Sequence, residues 1–296
     1  MKKSAFTMME LIFVIVIMGL LSKYGVEFMA QAYKGFIYSR INNTLQGNSA
    51  TAVEFIAKRL SYRIKDSVIA RKADGTFTSV QNASGSAYTT LEWVGVDIDN
   101  LRGDQLPNWS GILDLDAGNA LNLVSLGTNT ATVNSLINIL SYGNSDINDT
   151  ALYFIGSNSD VNTSYGWSGA ALTTQQDVAM HPVKVGTATT DFSSSVMVAG
   201  VPVDFNNTDV YEYYQLAWTA YALELSNDGN LTLHYNYQPW NGDRFTTANN
   251  VQSKLLMQNV STFQFRSIGS LLKVQICVES ELTGEEYSIC KEKTIY

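Results

Sequence analysis

Few side chains in this sequence have the type and spacing to do chemistry. Histidine occurs only at positions 181 and 234. His181 precedes Pro182 in what reads as a loop, and His234 lies on the face of a strand-like run opposite Leu233. Neither has a cysteine or carboxylate at metal-ligand spacing, so a structural or solvent-facing role is expected for both. No Gly-x-Ser-x-Gly elbow and no phosphate loop is present; no catalytic residue is assigned and no enzyme activity is expected. Asp97-Ile98-Asp99-Asn100 and Asp114-Leu115-Asp116-Ala117-Gly118-Asn119 carry the oxygen ligands that calcium takes. The glycine is misplaced for an EF-hand loop and the closing glutamate is absent. Acidic turns are the simpler reading, so no cofactor is expected and calcium is the one ion left open. What remains is one isolated acid, Glu10, and two cysteines, Cys277 and Cys290.

Glu10 stands at the head of an unbroken apolar run, Leu11 to Leu21. A carboxylate in a bilayer costs roughly 2.5–3.5 kcal/mol on insertion scales, so its position asks for a reason. The run from Phe6 to Leu21 is about 24 Å long as a helix, short of the ~30 Å hydrocarbon core. Val26, Phe28, Met29 and Ala30 extend it, and Lys23 can snorkel to the far interface. Lys2 and Lys3 against Lys23 favour the amino end inside the cell. A cleavable secretory signal is the alternative; Ala30-Gln31-Ala32 has the small-x-small form but lies far beyond Leu21.

Composition narrows the class. The 296 residues carry a formal net charge of −8, and losing Lys2 and Lys3 leaves −10. That excludes nucleic acid as a main partner, since phosphate binding needs basic surface. Residues rich in Asn, Ser, Thr and Gly fill positions 73 to 250, as in an exported, loop-rich β domain. Two cysteines near the end fit one disulfide in an oxidising compartment.

The positioning elements follow from periodicity. A helical pattern continues through residues 31–70, but Gly25, Gly35 and Gly47 each cost roughly 1 kcal/mol against Ala. With Asn42-Asn43-Thr44 they predict a bend or partial melting around 35–50. Val53, Ile56, Leu60, Ile64 and Val68 then form one apolar stripe for packing on a sheet, and Lys58, Arg59, Arg63 and Lys65 read as a solvated basic face. Residues 71–215 read as a loop-rich insertion with β-like runs at 76–80, 91–98, 151–155 and 196–201 and a helix over 132–141. The aromatic group Tyr211, Tyr213, Tyr214, Trp218 and Tyr221 could line a binding face, although the covered face of a sheet is the simpler reading. Residues 216–296 read as an antiparallel sheet: a hairpin of 216–225 with 231–237 about Asn227-Asp228-Gly229, then strands at 260–265, 271–278 and 286–290.

The cysteines test this register. Positions 277 and 290 are symmetric about Thr283-Gly284. In a two-residue hairpin Leu282 and Glu285 form a hydrogen-bonded pair, and alternation makes Cys277 and Cys290 a non-hydrogen-bonded one. Such pairs have Cα atoms about 4.5 Å apart, within disulfide range. A Cys277–Cys290 bond is expected.

Ser4-Ala5-Phe6-Thr7-Met8-Met9-Glu10-Leu11, followed by an aliphatic run containing Gly19, resembles the class III signal of type IV pilins and type II secretion pseudopilins. The resemblance covers about 25 residues. It implies that a prepilin peptidase cuts between Ala5 and Phe6, leaving residues 1–5 as a leader, and N-methylates Phe6. Glu10 becomes the family's near-invariant fifth mature residue, which meets the charged amine of a neighbouring subunit. The departure is Ala5, where the family usually has Gly. More loosely, the late helix with basic residues, the hairpin of residues 221–235, and Val260–Phe265 with Leu271–Val278 are similar to J-type minor pseudopilins and W-type minor pilins. Glu10 speaks against the K-type tip subunit, which typically lacks that acid.

The resemblance implies an α+β, pilin-like fold: a long amino-terminal helix, with 6–30 as its transmembrane and assembly segment, packed on a C-terminal antiparallel sheet with the 71–215 insertion between. The implied role is a minor pseudopilin in the initiation or tip complex of a secretion pseudopilus, or else a minor pilin of a type IV pilus. Implied partners are other pilin or pseudopilin subunits, the prepilin peptidase, an inner-membrane assembly platform and the lipid bilayer. The chain would be a single-pass inner-membrane protein, amino end cytoplasmic and C-terminal domain periplasmic. A membrane-anchored glycan-binding or adhesion protein is the alternative of another class.

Overall fold

The computed structural model describes residues 7–157, 160–282 and 285–296. The chain is α+β and divides into two units, residues 1–48 and 49–296. Three helices are used below: α1 (Met8–Ser61), α2 (Ile98–Arg102) and α3 (Thr130–Leu140). The strands, in order, are β1 (Ile69–Lys72), β2 (Phe77–Ser79), β3 (Tyr88–Gly95), β4 (Asn122–Val124), β5 (Ala151–Phe154), β6 (Met180–Val185), β7 (Asp191–Ser194), β8 (Met197–Val198), β9 (Val201–Pro202), β10 (Tyr214–Ala217), β11 (Thr219–Leu225), β12 (Leu231–Tyr235), β13 (Gln252–Met257), β14 (Val260–Ile268), β15 (Leu271–Leu282) and β16 (Glu285–Ile295).

The first unit is the front of α1. The expected bend around 35–50 is absent: α1 runs unbroken through 54 residues. The polar stretch that predicted melting bonds along its own helix instead. Thr44 Oγ1 donates to the Arg40 carbonyl (3.0 Å) and Gln46 Nε2 to Asn42 Oδ1 (2.9 Å), the i,i+4 spacing at which side chains meet. Three glycines at ~1 kcal/mol each weaken a helix this long without dividing it.

In the second unit α1 buries Ala52, Val53, Ile56, Ala57 and Leu60. The helix stops at Ser61, short of the 70 that the stripe predicted. Ile64 and Val68 are buried as expected, but from extended backbone on either side of a single 3₁₀ turn. The chain leaves the helix because the edge of β3 takes over its hydrogen bonds: Ile64 N donates to Val94 O (2.9 Å) and Val96 N to Tyr62 O (2.9 Å).

Three antiparallel sheets follow. The largest has the order β13-β12-β11-β3-β1-β2, the second β10-β5-β6-β7-β4, and the third β14-β15-β16. Residues 216–296 therefore feed more than one sheet: β11–β13 complete the sheet begun by β1–β3, and β14–β16 stand as a sheet of their own. The expected strand over 216–225 exists, but it changes sheets at buried Trp218, with β10 on β5 and β11 on β3. The runs predicted at 76–80, 91–98 and 151–155 contain β2, the main part of β3, and β5. The run at 196–201 is a two-strand ribbon, β8 with β9, and the helix predicted over 132–141 is α3.

Two aromatic cores hold the second unit. One gathers Tyr165, Trp167, Tyr237 and Trp240, and the other Trp109, Phe154, Phe192 and Tyr214. Gly166 sits between two of these rings at φ +81°, and a Cβ there would lie 2.0 Å from the Pro239 carbonyl oxygen. Gly166→Ala must strain the backbone and lift the segment off Trp240. It is expected to lower stability by about 1–3 kcal/mol or more, read as a fall in the urea midpoint at unchanged slope.

Candidate functional site

The amino-terminal site begins at Thr7. Ala5 and Phe6, the expected cleavage pair, lie outside the described residues. Thr7 and Glu10 close on each other: the Glu10 carboxylate accepts from the Thr7 amide (3.4 Å) and hydroxyl (3.4 Å), and Thr7 Oγ1 accepts from the Glu10 amide (3.4 Å). This is a capping box. Its Thr-x-x-Glu signature before an apolar run is visible in the sequence, and the reading of Glu10 as an assembly residue passed over it. Every residue from 7 to 36 is exposed. The helix is long and apolar enough to cross a membrane.

Cys277 and Cys290 are joined, directly opposite in the β15–β16 register, with Cα atoms 4.0 Å apart. Leu282 pairs with Glu285 and Glu281 with Glu286, as the hairpin arithmetic requires. The turn at Thr283-Gly284 lies outside the described residues.

The histidines are structural participants. His181 is not in a loop. It lies buried in β6, Nδ1 3.2 Å from Gln175 Oε1, its ring 4.6 Å from that of Phe154. Burial lowers its pKa to about 3, so it stays neutral. His234 on β12 sits 2.8 Å from Ser253 Oγ and 3.2 Å from Glu224 Oε2.

The acidic turns spend their oxygens on local amides. Asp114 accepts from the amides of Asp116 (3.1 Å) and Ala117 (3.0 Å). Asp97 caps α2, taking Asn100 N (3.3 Å) and Asn100 Nδ2 (2.7 Å). Among the described residues no group of three or more His, Cys, Asp or Glu side chains could hold a metal ion. Burial raises the Asp97 pKa from 3.8 to about 7, against the opposing bonds from Asn100. A raised carboxyl stabilises the fold below its unfolded pKa of about 4 and loses that contribution as pH climbs through about 7. Wild-type stability is therefore expected to fall between pH 4 and pH 8, by up to roughly 4 kcal/mol at 1.36 kcal/mol per pH unit. Asp97→Asn keeps the cap and flattens that slope in urea titrations across pH.

The basic face is not all solvated. Lys58, Arg59 and Lys65 are exposed, but Arg63 is buried. It donates to the carbonyls of Leu60 (2.7 Å), Ser270 (3.2 Å) and Tyr296 (3.4 Å), tying the end of α1 to the third sheet. Arg59 lies over Tyr221 at 5.7 Å. The aromatic group divides likewise. Tyr214 and Trp218 are buried, Tyr221 stacks on Trp93, and Tyr211 and Tyr213 are exposed.

Sequence reasoning missed a buried cluster. Arg71 Nε donates to Glu92 Oε1, and Tyr237 donates its hydroxyl to Glu92 Oε2 (3.0 Å). Arg71 also reaches the carbonyls of Gly75 (2.9 Å) and Trp167 (3.1 Å). Every strong acceptor and donor there is taken by protein, which marks it as a structural tie. No family model, no curated protein and no solved structure matches the chain.

Proposed function

We propose that this chain is a minor pseudopilin, a structural subunit of a type II secretion pseudopilus that acts in its initiation or tip complex. The observation that carries the reading is the helix itself. A single α-helix opens inside the signal-like motif, keeps one acid among exposed apolar residues, and ends buried in a separate, folded unit.

Residues 8–30 span about 34 Å at ~1.5 Å per residue, enough for a ~30 Å hydrocarbon core. In the uncut chain Glu10 is occupied by Thr7. Cleavage after Ala5 would free the amine of Phe6, next in the chain to Thr7. Packed among neighbouring helices, Glu10 would then meet a neighbour's amine, and the cost of burying either charge alone favours correct docking. Membrane orientation, a periplasmic second unit, the prepilin peptidase and an assembly platform as partners, and the absence of catalysis all belong to this proposal.

Intact-mass analysis of the mature protein tests it. N-methylated Phe6 as the first residue is the expected result, and a start at Tyr33 or an uncut chain would overturn it. A type IV minor pilin is the nearest neighbour of this reading. Deletion is expected to stop secretion and leave surface pili, and the reverse outcome would assign the subunit to a pilus.

A further inference from the structure

β14 ends its sheet. It pairs with β15 on one side and, among the described residues, with no strand on the other. A groove of about 900 Å³ runs along it, lined by every residue from 261 to 268 and bounded across the gap by the 81–89 segment. Proteins usually blunt such an edge with proline, a bulge in its middle or repeated charges. Residues 260–268 contain no proline, a single charge, Arg266, and a register shift only at their start.

The disulfide fixes which groups β14 leaves open. The close Cα spacing of Cys277 and Cys290 is that of a non-hydrogen-bonded pair. Cys277 therefore turns its amide and carbonyl toward β14, and alternation extends this to Gln275 and Lys273. Their partners are Thr262, Gln264 and Arg266. The main-chain groups of Phe263, Phe265 and Ser267 must then face the groove.

The strand reads nearly the same in both directions: Val260-Ser261-Thr262-Phe263-Gln264-Phe265-Arg266-Ser267-Ile268. We propose that β14 joins the β14 of a second copy of this chain, antiparallel, about a two-fold axis at Gln264. That register places Phe263 opposite the partner's Phe265 as a hydrogen-bonded pair, using the open groups just derived. Gln264 faces the partner's Gln264 and Arg266 faces the partner's Thr262, both as close, non-hydrogen-bonded pairs. On the inner face Phe263 and Phe265, whose rings are 5.3 Å apart within one strand, meet their counterparts as aromatic cross-strand pairs. On the outer face the rung Gln264–Gln275–Glu292 is doubled. An isologous contact needs this self-complementarity, and a partner of other sequence would not. The proposal is independent of the pseudopilin reading.

Cysteine cross-linking on the full-length protein in detergent micelles tests the register. Gln264→Cys is expected to give a covalent dimer under mild oxidation, because the two thiols meet at the axis. Arg266→Cys, equally exposed, is expected to give none, because its copies stand four residues apart along the pair. Equal cross-linking at both positions, or none at Gln264→Cys, overturns the proposal. By sedimentation in the same detergent the wild type is expected to be a dimer. Gln264→Glu, which sets two carboxylates face to face on an exposed position, is expected to shift it to monomer; a monomeric wild type or an unmoved variant also overturns the proposal.

Discussion

Arg71→Ala is expected to lower the stability of the folded unit by on the order of 3–5 kcal/mol, the cost of leaving a buried charge unpaired. Arg71 and Glu92 are 5% and 1% exposed, so neither can turn to water for a substitute. Burial pushes the Glu92 carboxyl up, and the Arg71 charge and the bonds from Arg71 and Tyr237 push it back down. Remove the guanidinium and only the upward push and one hydroxyl remain. Glu92 then takes a proton, and stability of the variant rises as pH falls, a slope the wild type shows less. The loss is also mechanical. Arg71 holds the turn at Gly75 and the carbonyl of Trp167, so it clamps β1 to a segment nearly a hundred residues away. The double variant Arg71→Met with Glu92→Leu discriminates the causes. A buried pair replaced by apolar groups of similar volume is often neutral or better, so the double variant should recover most of the loss in urea unfolding followed by tryptophan fluorescence. A single Arg71→Ala that costs under ~1 kcal/mol would mean that the cluster is wetter than its burial indicates.

The parts legible in the sequence were those set by local pattern. Leu11–Leu21 announces a helix by composition, the stripe Val53–Ile56–Leu60 by spacing, and the disulfide by symmetry about Thr283-Gly284. The bend failed because it added small residue costs and left out Asn42–Gln46 and Thr44–Arg40, which offset them. β6 was missed because buried strands lack alternation and because His181-Pro182 reads as a turn. The strand tolerates Pro182 because its carbonyl still works, accepting from Gln175 Nε2 (2.9 Å) and Ser195 N (3.1 Å). Arg63 was read by its charge, although its position two residues past the helix end placed it under the third sheet. Pairings such as Arg71 with Glu92, or β3 with β11, depend on contacts 21 and more residues apart. No periodicity reports them. The amino-terminal site was legible as a motif, and what the motif reading lacked was the second partner of Glu10.

Glu10→Gln is expected to abolish assembly while the folded unit stays intact, and this substitution separates two roles that Glu10→Ala confounds. In the capping box glutamine serves nearly as well as glutamate, so the bonds with Thr7 survive and helix initiation changes by a few tenths of a kcal/mol. The charge does not survive. If Glu10 works by meeting a neighbour's amine in an apolar surround, the neutral amide leaves that amine buried and unpaired, at several kcal/mol per contact, repeated at each subunit junction. The same change makes the isolated helix cheaper to hold in a bilayer by removing an acid that costs roughly 2.5–3.5 kcal/mol, so membrane retention should hold or improve as assembly fails. That opposition is the diagnostic. The readouts are the sheared or cross-linked filament fraction for assembly, the membrane fraction for anchoring, and the Cys277–Cys290 bond on a non-reducing gel for the folded unit. Filaments at wild-type level in Glu10→Gln, with loss only in Glu10→Ala, would show that the acid serves to start the helix and that no intersubunit pair forms there.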